Sequence, residues 1–174
     1  YYATYINADF VSKFSNTDVR NLFVASSTIT NPADFRRYTT RKFKFNFGSD
    51  VPLIRTAEMI LIDAEALART PGKEAEAHDL LYALQKNRDA NAVKSTNTGA
   101  ALIDEILLER RKELYAENGV EWFDAKRLRK GITRTGNHRI FKNLSADDKR
   151  FFLKVPQREI DANESIDDSV NKDR

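Results

Sequence analysis

The chain has 174 residues, 41% hydrophobic and 32% charged, an ordinary balance for one globular domain or a piece of a larger one. It contains no cysteine, which excludes a disulfide framework and a thiol nucleophile, and its net charge of +3 is too small to imply a polyanionic partner by itself. No apolar run reaches the roughly 18 residues that a membrane-spanning helix needs.

Residues Tyr1 to Thr40 are weakly patterned; Thr17-Asp18-Val19-Arg20 fits a short helical turn and Asn31-Pro32 a turn. Arg41 to Phe47 alternates strictly, with Phe43, Phe45 and Phe47 on one face and Lys42, Lys44 and Asn46 on the other. That predicts a half-buried strand with one wet side. Lysines and aromatics facing opposite ways argue against a nucleic-acid platform. Gly48-Ser49-Asp50 breaks the strand, and Asp50 is placed to cap a helix that accepts Pro52 in its first turn. This helix is expected to run to about Arg69, with Leu53, Ala57, Ile60, Ala64, Leu67 and Ala68 inward. Thr70-Pro71-Gly72 ends it. A second helix follows from about Lys73 to Ala90, with Ala77, Leu80, Leu81 and Leu84 inward. Two helices in about 35 residues, with small side chains at the crossing, resemble a tetratricopeptide unit.

Asn91 to Thr98 is a polar linker to the stretch on which the chain turns, Thr98 to Gly131. Leu102, Ile103, Ile106, Leu107, Leu114 and Tyr115 form one helical stripe, Thr98 can cap its start, and Gly119 is placed to stop it. A shorter helix then carries Trp122, Phe123 and Leu128 and ends at Gly131, giving a helical hairpin with a one-residue hinge. Trp122 falls where the two helices must meet and is expected in the core. Glu109, Arg110, Arg111, Lys112, Glu113 and Glu117 crowd the end of the first helix. Arg110 lies between Ile106 and Leu114 on the apolar stripe, so its guanidinium requires a carboxylate: Glu117, Asp124 or Glu58. The cluster reads as a structural ion-pair network.

Ala125 to Ala146 holds seven lysines and arginines and no acid, and Ile132 to Ala146 reads as a loop. The basic segment 126–142 is the one place suited to an anionic polymer or nucleic acid, an alternative function whose mark is steep salt dependence. Only His78 and His138 are present, neither with a partner at ligand spacing, so no metal site is expected. No phosphate loop or nucleophile elbow occurs. A glycosidase needs one carboxyl held protonated, whereas Glu109, Glu113, Glu117 and Asp124 all stand beside cations that lower a carboxyl pKa.

ILLERRKELYAENGVEWFDAKRLRKG resembles the signature of the SusD/RagB family, an E-R-R-x-E-L run followed by W-F-D-x-x-R. Glu109, Arg110, Arg111, Glu113, Leu114, Trp122, Phe123, Asp124 and Arg127 match it. LIRTAEMILIDAEALAR resembles a second family block through Arg55, Ala57, Glu58, Leu61, Ala64, Glu65 and Ala66, and FFLKVPQREI a third through Pro156, Glu159 and Ile160. Asp18 and Arg20 fit a D-x-R that the family places earlier. The resemblance implies a mainly α fold of tetratricopeptide-like helical pairs with a small irregular β/loop region. It implies that residues 1–174 are the C-terminal portion of such a domain: strand and loop region 1–50, helical repeat pairs 51–131, and loop with extended C-terminal segment 132–174. It further implies a non-enzymatic glycan- or nutrient-binding lipoprotein working with a TonB-dependent (SusC-like) outer-membrane transporter. No cofactor, metal or nucleic acid is expected. Such a protein is lipid-anchored and surface-facing on the outer membrane, through an anchor absent from this sequence. Arg55, Glu58, Glu109, Arg110, Glu113, Trp122, Phe123, Asp124 and Arg127 would be structural. Tyr38 is the ligand-binding candidate among the aromatics left outside apolar runs.

Overall fold

The computed structural model describes residues 5–43, 48 and 50–172. The chain is mainly helical with a small three-stranded antiparallel sheet. It forms two compact units, Tyr1–Glu121 with Thr135–Arg139, and Trp122–Arg134 with Ile140–Arg174.

In the first unit, β1 (Tyr5–Ile6), β2 (Phe23–Ala25) and β3 (Tyr38–Thr40) pair in the order β1-β3-β2, with Tyr38 opposite both Ile6 and Ala25. The short helix α1 (Ala8–Val11) is capped by Asn7, whose side chain accepts from the Asp9 amide at 2.8 Å. Three longer helices follow: α2 (Thr56–Ala68), α3 (Glu74–Arg88) and α4 (Gly99–Leu114). Their common core holds Ala57, Leu61, Ala64 and Ala68 of α2, Ala77, Leu81 and Leu84 of α3, and Leu102 and Ile106 of α4. Burying each large side chain of this set contributes roughly 1.5–3 kcal/mol, and the alanines let the helices approach closely. A second core is aromatic. Phe10, Phe14 and Tyr115 join Ile6, with Phe23 and Tyr38 packed against them. Phe10 meets Phe14 edge to face at 5.2 Å and Tyr115 at 5.5 Å.

Three elements differ from expectation. The predicted strand over Arg41–Phe47 is not formed where it is described, since β3 ends at Thr40 and Lys42 and Phe43 form a bend. Lys44 to Phe47 lie outside the described residues. The two faces are also reversed at the bend: Lys42 turns inward to donate to the carbonyls of Glu113 at 3.0 Å and Tyr115 at 2.8 Å, leaving Phe43 45% exposed. The first long helix starts at Thr56 rather than near Asp50, and Leu53 is exposed. The carbonyls of Pro52 and Leu53, which a helical turn would use, instead accept from the Asn118 side chain at 3.0 and 2.9 Å. The third difference is the hinge. α4 ends at Leu114, and the break spans Tyr115 to Gly119, with Ala116, Asn118 and Gly119 all at positive φ. The Glu113 carbonyl receives Lys42 and also Arg55 at 2.8 Å, so side chains cap the helix where glycine was expected to.

α5 (Val120–Arg127) crosses from the first unit into the second. Within the second unit Trp122 is half-buried rather than fully enclosed, its ring 4.8 Å from Phe151, and Phe123 is 62% exposed. Gly131 has φ +69°, and a Cβ there would lie 2.4 Å from the Leu144 carbonyl oxygen, so only glycine fits. Ile132 and Leu144 exchange both backbone hydrogen bonds at 2.9 Å. α6 (Gln157–Ala162) follows Pro156, and the Asn171 side chain exchanges two 2.8 Å hydrogen bonds with the Val155 backbone.

Candidate functional site

The end of α4 sets Glu109, Glu113 and Glu117 within reach of cations from four other segments. Glu109 and Glu113 stand at i,i+4, on one face of the helix. Glu113 is the hub. Its Oε1 accepts from Arg55 Nη1 at 2.7 Å and Arg88 Nη2 at 3.0 Å, and its Oε2 from Arg88 Nε and Arg20 Nη1, both at 3.0 Å. Glu117 accepts from Arg55 Nε and Nη2 at 2.9 Å and pairs with Lys42 at 2.5 Å. Arg20 also reaches Glu109 at 2.7 Å and holds Asp18 bidentately at 2.9 and 2.8 Å, while Lys112 meets Asp18 at 3.0 Å. Arg110 pairs separately with Glu58 of α2 at 2.9 Å.

Burial pushes the Glu113 carboxyl up, but the N–H groups of Arg88 and Arg55 outweigh it and hold the group at about 2. Asp18 is likewise lifted by burial and drawn down to about 2 by Arg20 and Lys112. Burial lowers Lys42 below its ordinary value despite its pairing with Glu117. With its folded value about 2 against an ordinary 4.5, Glu113 contributes on the order of 3 kcal/mol of stability above that ordinary value. The sign is that of a depressed acid: the contribution is complete above pH ~5 and is lost as pH falls through ~2. Denaturant midpoints between about pH 6 and pH 2.5 should therefore fall steadily, more steeply for the native chain than for Glu113→Gln. Parallel profiles would remove Glu113 from this role.

One side of the network opens on a cleft of about 460 Å³. Five cations, among them Arg55 and Arg88, and two carboxylates, Glu113 and Glu117, line it beside apolar surface that includes Leu22 and Phe43. Of the residues expected to be structural, Arg55, Glu109 and Glu113 are brought into one network, and Glu58 and Arg110 form a neighbouring pair. Asp124 and Arg127 are in the second unit, paired with each other at 2.7 Å, as are Trp122 and Phe123. Glu117, proposed as a partner of Arg110, serves Arg55 and Lys42 instead. Tyr38 is half-buried in the aromatic core, with Arg37 5.5 Å above its ring. Lys42, Arg88 and Phe43 were not expected here. Arg88 closes the last turn of α3, where a cation serves the helix dipole, and nothing in its spacing distinguishes it. In the basic segment Arg127 pairs with Asp124, Arg129 pairs with Asp147 at 2.6 Å, and Arg134 donates to the Lys142 carbonyl.

Comparison with known proteins adds two findings. The chain superposes on the crystal structure of a SusD-like carbohydrate binding protein from Bacteroides vulgatus ATCC 8482 with a TM-score of 0.77 and 22% identity. The match covers 93% of this chain and 41% of that one, so the chain spans less than half the length of that relative. No curated protein matches by sequence. The model of the SusD family matches residues 35–170, most of the chain, and the chain therefore belongs to the SusD family.

Proposed function

We propose that the chain is the C-terminal, scaffold-bearing portion of a non-enzymatic glycan-binding component of an outer-membrane nutrient-uptake system. The observation that carries this reading is the fold shared over 93% of the chain with a relative described as a carbohydrate binding protein. The partner we propose is a TonB-dependent, SusC-like transporter. The place is the surface of the outer membrane, reached through a lipid anchor. Residues 51–131 supply the helical repeat pairs, and 1–50 and 132–174 flank them. Arg55, Glu58, Glu109, Arg110, Glu113, Trp122, Phe123, Asp124 and Arg127 act structurally, and Tyr38 remains the aromatic nominated for ligand contact.

The network's own carboxyls are unsuited to acid catalysis: arginine and lysine partners draw Asp18 and Glu113 down to about 2. A glycosidic general acid needs the opposite. Saturation-transfer NMR of the chain against a panel of neutral and acidic oligosaccharides, run beside a reducing-end assay, tests the reading. Transfer to at least one sugar with no new reducing ends is expected. Hydrolysis, or no transfer to any sugar, would overturn it.

A further inference from the structure

Among the described residues, Arg20, Lys42, Arg55, Arg88 and Lys112 pair with Asp18, Glu109, Glu113 and Glu117, and the Asp89 carboxylate stands beside Asp18, held by Ser15 and Thr17. The two signs are unequally accessible. The acids' side chains are 1–6% exposed, whereas those of Arg55 and Arg88 are 29% and 28% exposed. The cleft wall includes Glu113 and Glu117, but its more accessible charged groups are the guanidiniums of Arg55 and Arg88. Arg88 uses Nε and Nη2 on Glu113, and among the described residues nothing accepts from its Nη1. Arg55 and Arg88 converge on one Glu113 oxygen, at 2.7 and 3.0 Å, so both guanidiniums are held in place before any ligand arrives.

Beside these cations the cleft presents apolar surface that the fold leaves uncovered, Phe43 at 45% and Leu22 at 40% exposure. A volume of about 460 Å³ lies within the roughly 300–1,000 Å³ of small-ligand sites. We infer that this cleft is a subsite for an acidic sugar, with a uronate carboxylate on Arg88 and the ring's C–H face on Phe43. The inference rests on the glycan-binding reading and narrows it to a charge class. With Nε and Nη2 of Arg88 on Glu113, its Nη1 side is left to donate to a planar carboxylate. A neutral sugar would leave the exposed donors of Arg88 to water.

The test uses residues 1–174 with tri-galacturonate and, at matched ionic strength, a neutral galactose trimer, by calorimetry with NMR shift mapping. The acidic trimer is expected to bind at least about tenfold more tightly, as a charge-assisted hydrogen bond in a cleft allows. Its preference should disappear in Arg88→Gln, and Phe43→Ala should weaken it severalfold. Phe43 forms no ion pair and is exposed, with Lys42 Nζ 5.4 Å from its ring centroid, so Phe43→Ala and shifts at the Phe43 ring decide the matter should Arg88→Gln fail to fold. Equal affinity for the two trimers overturns the acidic subsite and leaves the glycan-binding reading intact. So does an acidic preference that survives Phe43→Ala with no shift at Phe43. Displacement of the acidic trimer by acetate at equal concentration would show that the cleft takes any carboxylate, which also overturns it. Absence of binding by both trimers overturns the subsite, while the reading beneath it falls to hydrolysis or to a silent panel in the wider screen.

Discussion

Glu113→Ala is expected to lower the unfolding free energy by about 3–5 kcal/mol, the cost of breaking a buried ion pair from one side. Three guanidiniums, from Arg20, Arg55 and Arg88, lose their common acceptor, at a position only 3% exposed. Water entering from the cleft can reach the vacated position but supplies no opposite charge to the three guanidiniums. Against a typical stability of 5–15 kcal/mol this is a large fraction, so the variant should melt many degrees below the native chain. Glu113→Gln preserves volume and removes charge, and most of the loss should persist in it. Arg129→Ala supplies the contrast, because its pair with Asp147 is 77% exposed on both sides and should be worth under about 1 kcal/mol. Denaturant midpoints of the three variants measure the difference. Equal losses for Glu113→Ala and Arg129→Ala would reduce the network to surface decoration.

The helical part of the fold is legible because its signal is periodic. Ala57, Ala64, Ala68, Ala77, Leu81, Leu84, Leu102 and Ile106 recur at helical spacing and are buried in one cluster, whereas Leu61, which was not on the expected inward face, is fully buried and Ile60 and Leu67 only partly so. The boundaries were not legible, for a reason visible at both ends of the site. Asn118 takes the carbonyls of Pro52 and Leu53, and Lys42 and Arg55 take that of Glu113, so distant side chains set where α2 begins and α4 ends. A local rule about Asp50 or Gly119 contains no information about partners some 60 or 70 residues away. Lys42 shows the same limit. Its alternation with Phe43 predicts a wet lysine, and tertiary demand for a donor at Glu117 and the α4 carbonyls overrides it. Asp18 and Arg20 stood out only through their resemblance to a family D-x-R; their bidentate pair and the place of Arg20 in the network come from the structure. Arg88 and the open cleft have no sequence signature at all.

Arg110→Ala and Arg111→Ala are adjacent on α4 and should behave very differently. Arg110 is 7% exposed, between Ile106 and Leu114, and its Nη2 donates to Glu58 at 2.9 Å, linking α4 to the first turn of α2. Removing it strands a carboxylate whose side chain is 19% exposed and deletes the buried methylenes of the arginine stem. The partial exposure of Glu58 lets water relieve some of the charge, which puts the expected loss near the lower end of the buried-pair range, about 3 kcal/mol. Arg111 is exposed. Its pair with Glu121 at 2.9 Å joins side chains 42% and 56% exposed, and its guanidinium lies 4.6 Å from the Phe10 ring centroid. An exposed pair and an exposed cation–π contact together contribute about 1 kcal/mol. Glu58→Gln distinguishes charge from packing at the first site: paired with Arg110→Ala in a double-mutant cycle, it should show coupling of about 1 kcal/mol or more. Losses within a few tenths of each other for the two arginine variants, or a cycle with no coupling, would show that Arg110 is held by its stem alone.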